Sequence, residues 1–98
     1  MTLTEKEKVA LRAIAQNASE GCGAKEPKDL HYDNYSWFDR SDITRLTGFS
    51  KFEAAGLMSA LDEKGLIQDN EGDGTGWALT EKGIDAAQEV WHEVPALR

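Results

Sequence analysis

The sequence predicts one α+β domain in the order helix, long loop, helix, helix, β-hairpin, helix. Three observations predict it. Thr4–Glu7 and Ser50–Glu53 both have capping-box spacing, so a helix starts after each. A short helix ending at Gly48 is followed, after a turn of about three residues, by a longer one, which is helix-turn-helix spacing. Two short apolar runs, Leu66–Gln68 and Trp77–Leu79, flank a polar stretch with three glycines, a hairpin pattern. At 98 residues the chain has material for a single core.

The first helix follows from Thr4 as N-cap and from the apolar stripe Val9, Leu11, Ile14, Ala15 and Ala18. Glu5 and Glu7 suit the positive end of its dipole. It is expected over Glu5 to about Ser19, stopping at Gly21 or Gly23. Residues 20–36 show neither helical nor strand period and read as an irregular insertion, after which a short extended segment drops Trp37 or Phe38 into the core. Ser41 or Asp39 caps the second helix, with Ile43 and Leu46 inward. In the third, Ala54, Leu57, Met58 and Leu61 make one apolar face, and Gly65 is its left-handed cap. Thr80 caps the last helix, whose apolar positions are Ile84, Ala87, Val90 and either Trp91 or Val94, before Pro95.

Charge restricts the partners. The chain carries 11 basic and 18 acidic side chains, net −7. Residues 1–50 hold seven basic and eight acidic groups, whereas residues 51–98 hold four and ten. A broad grip on a polyanion needs clustered Lys and Arg, so non-specific nucleic-acid binding is disfavoured. No run approaches the roughly 20 apolar residues of a membrane helix, and MTLTEKEKVAL has no apolar leader stretch. The single cysteine makes no internal disulfide. A cytoplasmic protein without membrane contact is the expectation.

DRSDITRLTGFSKFEAAGLMSALDEKGLI, followed by WALTEKG at Trp77–Gly83, resembles the winged helix-turn-helix domain of MarR-type bacterial transcriptional regulators. The resemblance covers residues 39–83. It implies a DNA-binding regulator, commonly a homodimer, whose recognition helix enters the major groove while the hairpin, or wing, touches the flanking backbone. Carried onto this sequence, it implies groove contacts from Lys51, Phe52, Ala55, Gly56 and Ser59. Thr44, Arg45 and Ser50 would then meet phosphates, and residues 70–75 would form the wing. Two features depart from the pattern. The recognition face has one lysine where base reading favours several long polar side chains. The wing carries Asp69, Glu71 and Asp73 and no cation. The alternative is therefore a protein-interaction module whose acidic surface, through these three carboxylates, meets a basic partner.

Asp69, Glu71, Asp73 and Gly74 mimic the start of a calcium loop, but Thr80 stands where a bidentate Glu is required. Cys22 and His31 share a loop with Asp29 and Asp33, too few soft ligands for a structural zinc site. There is no phosphate loop, HExxH or GxSxG, so neither enzyme activity nor a cofactor has positive support. Tyr32 and Tyr35 read as core plugs or as interface residues. Phe52 either meets a thymine methyl or a partner's pocket, or turns back over Ile43 or Leu46, the last being favoured. Val90, Trp91 and Val94, with Leu97, look surplus to one small core; they either form a dimer contact with the first helix or seal the open side of the domain.

Overall fold

The computed structural model describes residues 2–22, 25–32, 34, 36–70, 72 and 76–97. Tyr35, Asp33, Glu71, Asp73, Gly74 and Thr75, and the side chain of Cys22, lie outside the described residues. The fold is α+β. It contains α1 (Glu5–Cys22), α2 (Arg40–Thr47), α3 (Lys51–Glu63), β1 (Ile67–Asp69), β2 (Trp77–Leu79) and α4 (Glu81–Trp91).

The Thr4 capping box closes as its spacing predicts. Glu7 N–H donates to Thr4 Oγ1 at 3.1 Å and Thr4 N–H donates to Glu7 Oε1 at 2.8 Å. α1 continues one turn past Ser19, because Gly21 keeps negative φ and does not terminate it. The Ser50 box forms only its first half. Glu53 N–H donates to Ser50 Oγ, but the Glu53 carboxylate pairs with Lys6 of α1 instead of returning to the cap. Asp39, not Ser41, caps α2. The end of α3 is a Schellman motif: Leu66 N–H reaches Leu61 O at 3.0 Å and Gly65 N–H reaches Asp62 O at 2.9 Å, with Gly65 at φ +75°. This capture of Leu66 moves the first strand one residue later than expected.

β1 and β2 pair antiparallel, Ile67 opposite Leu79 and Asp69 opposite Trp77. Trp77 also pairs with Phe38 through two backbone hydrogen bonds of 2.9 and 3.1 Å. The segment before α2 therefore lies along the free side of β2. Phe38 enters the core as predicted, whereas Trp37 remains 47% exposed. Neighbours on an extended backbone point to opposite faces, so only one of the two can be buried. Among the described residues of the loop, Pro27–His31 is a 3-10 helix capped by Glu26 and Asp29, not irregular chain. It buries Pro27 and Leu30 against α4 and is fastened there by Lys28 N–H to Gln88 and by His31 to Asp85 at 2.8 Å.

The core draws Leu11 and Ile14 from α1, Ile43 from α2, Met58 and Leu61 from α3, Ile67 and Leu79 from the hairpin, and Ile84 and Ala87 from α4. The apolar surplus expected at the C-terminus is absent. Val90 and Val94 are 2% and 8% exposed and belong to this core. Trp91 packs against the core under the Arg12 guanidinium, whose carbon is 3.5 Å from the ring centroid. Val90 and Val94 are thus buried within their own domain, where α4 packs on α1, while Trp91 is half-buried.

One buried polar bracket holds the strand end. Leu79 N–H donates to Ser36 Oγ at 2.9 Å, and Asn34 donates to Leu79 O at 2.8 Å. Ser36→Ala leaves the Leu79 N–H buried without an acceptor and is expected to cost about 1–3 kcal/mol. Urea unfolding at neutral pH measures it; an unchanged midpoint contradicts the bracket.

Candidate nucleic-acid interface

α2 and α3 are joined by Gly48, Phe49 and Ser50. Gly48 sits at φ +80°, where a Cβ is strained, and its N–H returns to Thr44 O at 2.9 Å. Thr47 Oγ1 stiffens the turn, donating to Ile43 O at 2.7 Å and accepting from Phe49 N–H at 3.1 Å. Ser50 then sets the phase of α3. Ala54, Met58 and Leu61 face the core, and Lys51, Phe52, Ala55, Gly56 and Ser59 are all exposed. The five residues named from the pattern thus share one outward face.

Phe52 does not turn back over Ile43 or Leu46. It is 80% exposed, because at 100° per residue it stands nearly opposite Ala54 and Leu61. The Lys51 ammonium lies 5.5 Å from its ring centroid. Ala55, Gly56 and Ser59 leave the rest of the face low, so Phe52 projects from a shallow surface.

The expected phosphate contacts fare unequally. Arg45 is exposed, but its Nη2 donates to Asn17 Oδ1 at 3.0 Å and lies 3.6 Å from Asp42. Ser50 Oγ is committed to the α3 cap. Thr44 Oγ1 is buried without a hydrogen-bond partner, so this hydroxyl does not face a ligand; the reading of Thr44 as a surface phosphate contact is corrected. Arg40, which the pattern did not single out, stands exposed at the first position of α2, and its place directly after the Asp39 cap could have signalled it. Trp37 was also missed as a surface group: Asn17 donates to its carbonyl at 3.2 Å and accepts from Arg45, placing Trp37 beside this region.

The electrostatics are mixed. The Ser41 hydroxyl, then the backbone N–H groups of Asp42 and Ser41, lower the pKa of the Asp39 carboxyl, so a stable anion sits at the start of α2. On the hairpin, Asp69 Oδ1 accepts from Gly72 N–H at 3.0 Å, which folds that carboxylate onto its own turn. Among the described residues no three His, Cys, Asp or Glu side chains group to hold a metal ion. No described helix is long and apolar enough to cross a membrane. Comparison with protein-family profiles, curated proteins and solved structures returns no match.

Proposed function

We propose that this chain is a winged helix-turn-helix domain that presents α3 to double-stranded DNA and acts as a small transcriptional regulator. The observation that carries the reading is the tight α2–turn–α3 unit with Lys51, Phe52, Ala55, Gly56 and Ser59 together on its outward face. A shallow helix face fits the major groove. Lys51 donates to guanine acceptors, and Phe52 packs on a thymine methyl. The Phe38–β2–β1 arrangement supplies the sheet from which a wing projects.

The cation supply sets the salt dependence. Arg40 and Arg45 are the exposed cations of α2 left for the backbone, so about two phosphates are neutralised per copy and the slope of log K against log salt is about −2. Two copies on one site double that slope, so it also reports stoichiometry. Fluorescence titration of genomic duplexes at low salt, checked by sedimentation, is the experiment. Lys51→Ala is expected to weaken the selected duplex about tenfold while changing its sequence preference. Arg45→Ala is expected to weaken all duplexes alike. Failure to retain any duplex at micromolar protein rejects the DNA reading.

One observation favours a second reading. A single aromatic that is 80% exposed on a helix face resembles the anchor of a protein interface. In that case Phe52→Ala abolishes capture of a protein partner while Lys51→Ala leaves it intact.

A further inference from the structure

Phe52 is 80% exposed in the first turn of α3, and the rest of the outward stripe is small: Ala55, Gly56 and Ser59. A projecting ring and a shallow shelf therefore stand on one helix. Gly56 adds a second observation. Glycine inside a helix weakens it, yet no contact within the chain calls for it here, since a Cβ would meet nothing within 4 Å. It leaves room for another backbone to approach α3 from outside.

The charges of α3 set the direction of that approach. Lys51 and Asp62 are both exposed and lie at opposite ends of the helix. At 100° per residue they stand on the same flank of the stripe. Among the described residues neither side chain has an ion-pair partner within the chain. Two α3 helices running antiparallel, about a two-fold axis between Ala55 and Gly56, set Phe52 opposite Ser59 and Ala55 opposite Gly56. The same arrangement brings Lys51 of each copy beside Asp62 of the other. A parallel pair would set Lys51 against Lys51 and Asp62 against Asp62, so like charges would meet.

We infer that the α3 face binds a second copy of this chain as an antiparallel α3–α3 pair, with Phe52 of each copy seated on Gly56 and Ser59 of the other. Small residues at the crossing let the helix axes approach to about 8 Å. The Lys51–Asp62 pairs stay in water and fix orientation more than affinity. One helix face buries less than the roughly 1,200 Å² of a standard interface, so the dissociation constant is of order 100 µM. Duplex and second copy exclude each other on this face, but the association itself does not depend on the DNA reading.

Sedimentation equilibrium of the full chain without DNA, up to about 1 mM, covers that affinity. Each copy carries net charge −7, so the measurement is made at about 0.15 M salt, where the Debye length is about 8 Å. Phe52→Ala and Gly56→Gln are each expected to weaken the dimer at least tenfold, because symmetry counts each change twice. Both positions are exposed, so the fold survives, as circular dichroism will show. Asp62→Lys is expected to weaken the dimer about fivefold, and adding Lys51→Glu to restore it, because the pair is then reversed. A chain that stays monomeric throughout overturns the inference and leaves the DNA reading standing. A dimer indifferent to Phe52→Ala, or a double variant no tighter than Asp62→Lys alone, overturns it as well.

Discussion

Gly83→Ala is expected to destabilise the domain by about 3 kcal/mol, the upper end of overpacking costs. A Cβ at Gly83 would stand 1.9 Å from Leu66 O and 2.8 Å from its carbonyl carbon. That carbonyl has little room to yield, because it accepts Thr80 N–H at 3.0 Å. Thr80 Oγ1 meanwhile donates to Gly65 O at 2.7 Å and accepts Gly83 N–H at 2.9 Å. The start of α4 is therefore seated directly on the end of α3, and a methyl group must lift the helix. Gly56 is the contrasting case: it is exposed on α3 and a Cβ there meets nothing within 4 Å. Gly56→Ala is expected to stabilise by about 0.5–1 kcal/mol through helix propensity. Urea unfolding followed by circular dichroism should rank Gly56→Ala above the parent and Gly83→Ala far below it. A Gly83→Ala chain within experimental error of the parent would show that α4 does not sit so close.

The second large effect is acid sensitivity centred on Glu7. The Glu7 carboxylate is buried and accepts from Lys64 Nζ at 2.6 Å and from Thr4 N–H at 2.8 Å. The Lys64 hydrogen bond first, then the Thr4 backbone and the Lys64 charge, hold its pKa below the ordinary carboxylate range despite the opposing effect of burial. The unfolded chain then binds a proton at higher pH than the folded one. The stabilisation is full above the unfolded pKa of about 4.3 and is lost as pH falls through the lower folded value. Glu7→Gln is expected to cost about 2 kcal/mol at pH 7, less than the 3–5 kcal/mol of a fully buried pair. Lys64 keeps part of its hydration and still donates to Thr2 O at 3.1 Å, which limits the loss. The decisive measurement is the difference in urea midpoint between pH 7 and pH 3. It should shrink in Glu7→Gln, with a remainder from Asp39 and Glu26, whose pKa values are also lowered. An unaltered difference would mean that the Glu7 carboxylate is not linked to folding.

Local chemistry made much of this protein legible in its sequence. Thr4, Ser50 and Thr80 mark helix starts, Gly48 and Gly65 mark left-handed ends, and the apolar period of α3 separates its buried and exposed faces. Each signal operates within about one turn of chain, so no distant partner is needed to read it. The outward set on α3 was legible for the same reason. Tertiary structure decided whatever depended on a competing partner. Lys6 takes the carboxylate that Ser50 spacing assigns to a capping box, and pairing of Phe38 with Trp77 leaves Trp37 at the surface. Thr44 turns its hydroxyl inward, and residues 27–31 become a 3-10 helix because α4 offers Gln88 and Asp85 to hold them. Val90, Trp91 and Val94 illustrate the limit most clearly. Their apolar character was evident, but whether it meets another chain or this one depends on where α1 lies. Arg12 and Gln16, reaching across more than 80 residues to Val94 and Leu97, draw the tail back onto α1. Contacts at that separation arise only once the helices have packed and excluded water, which local sequence does not encode.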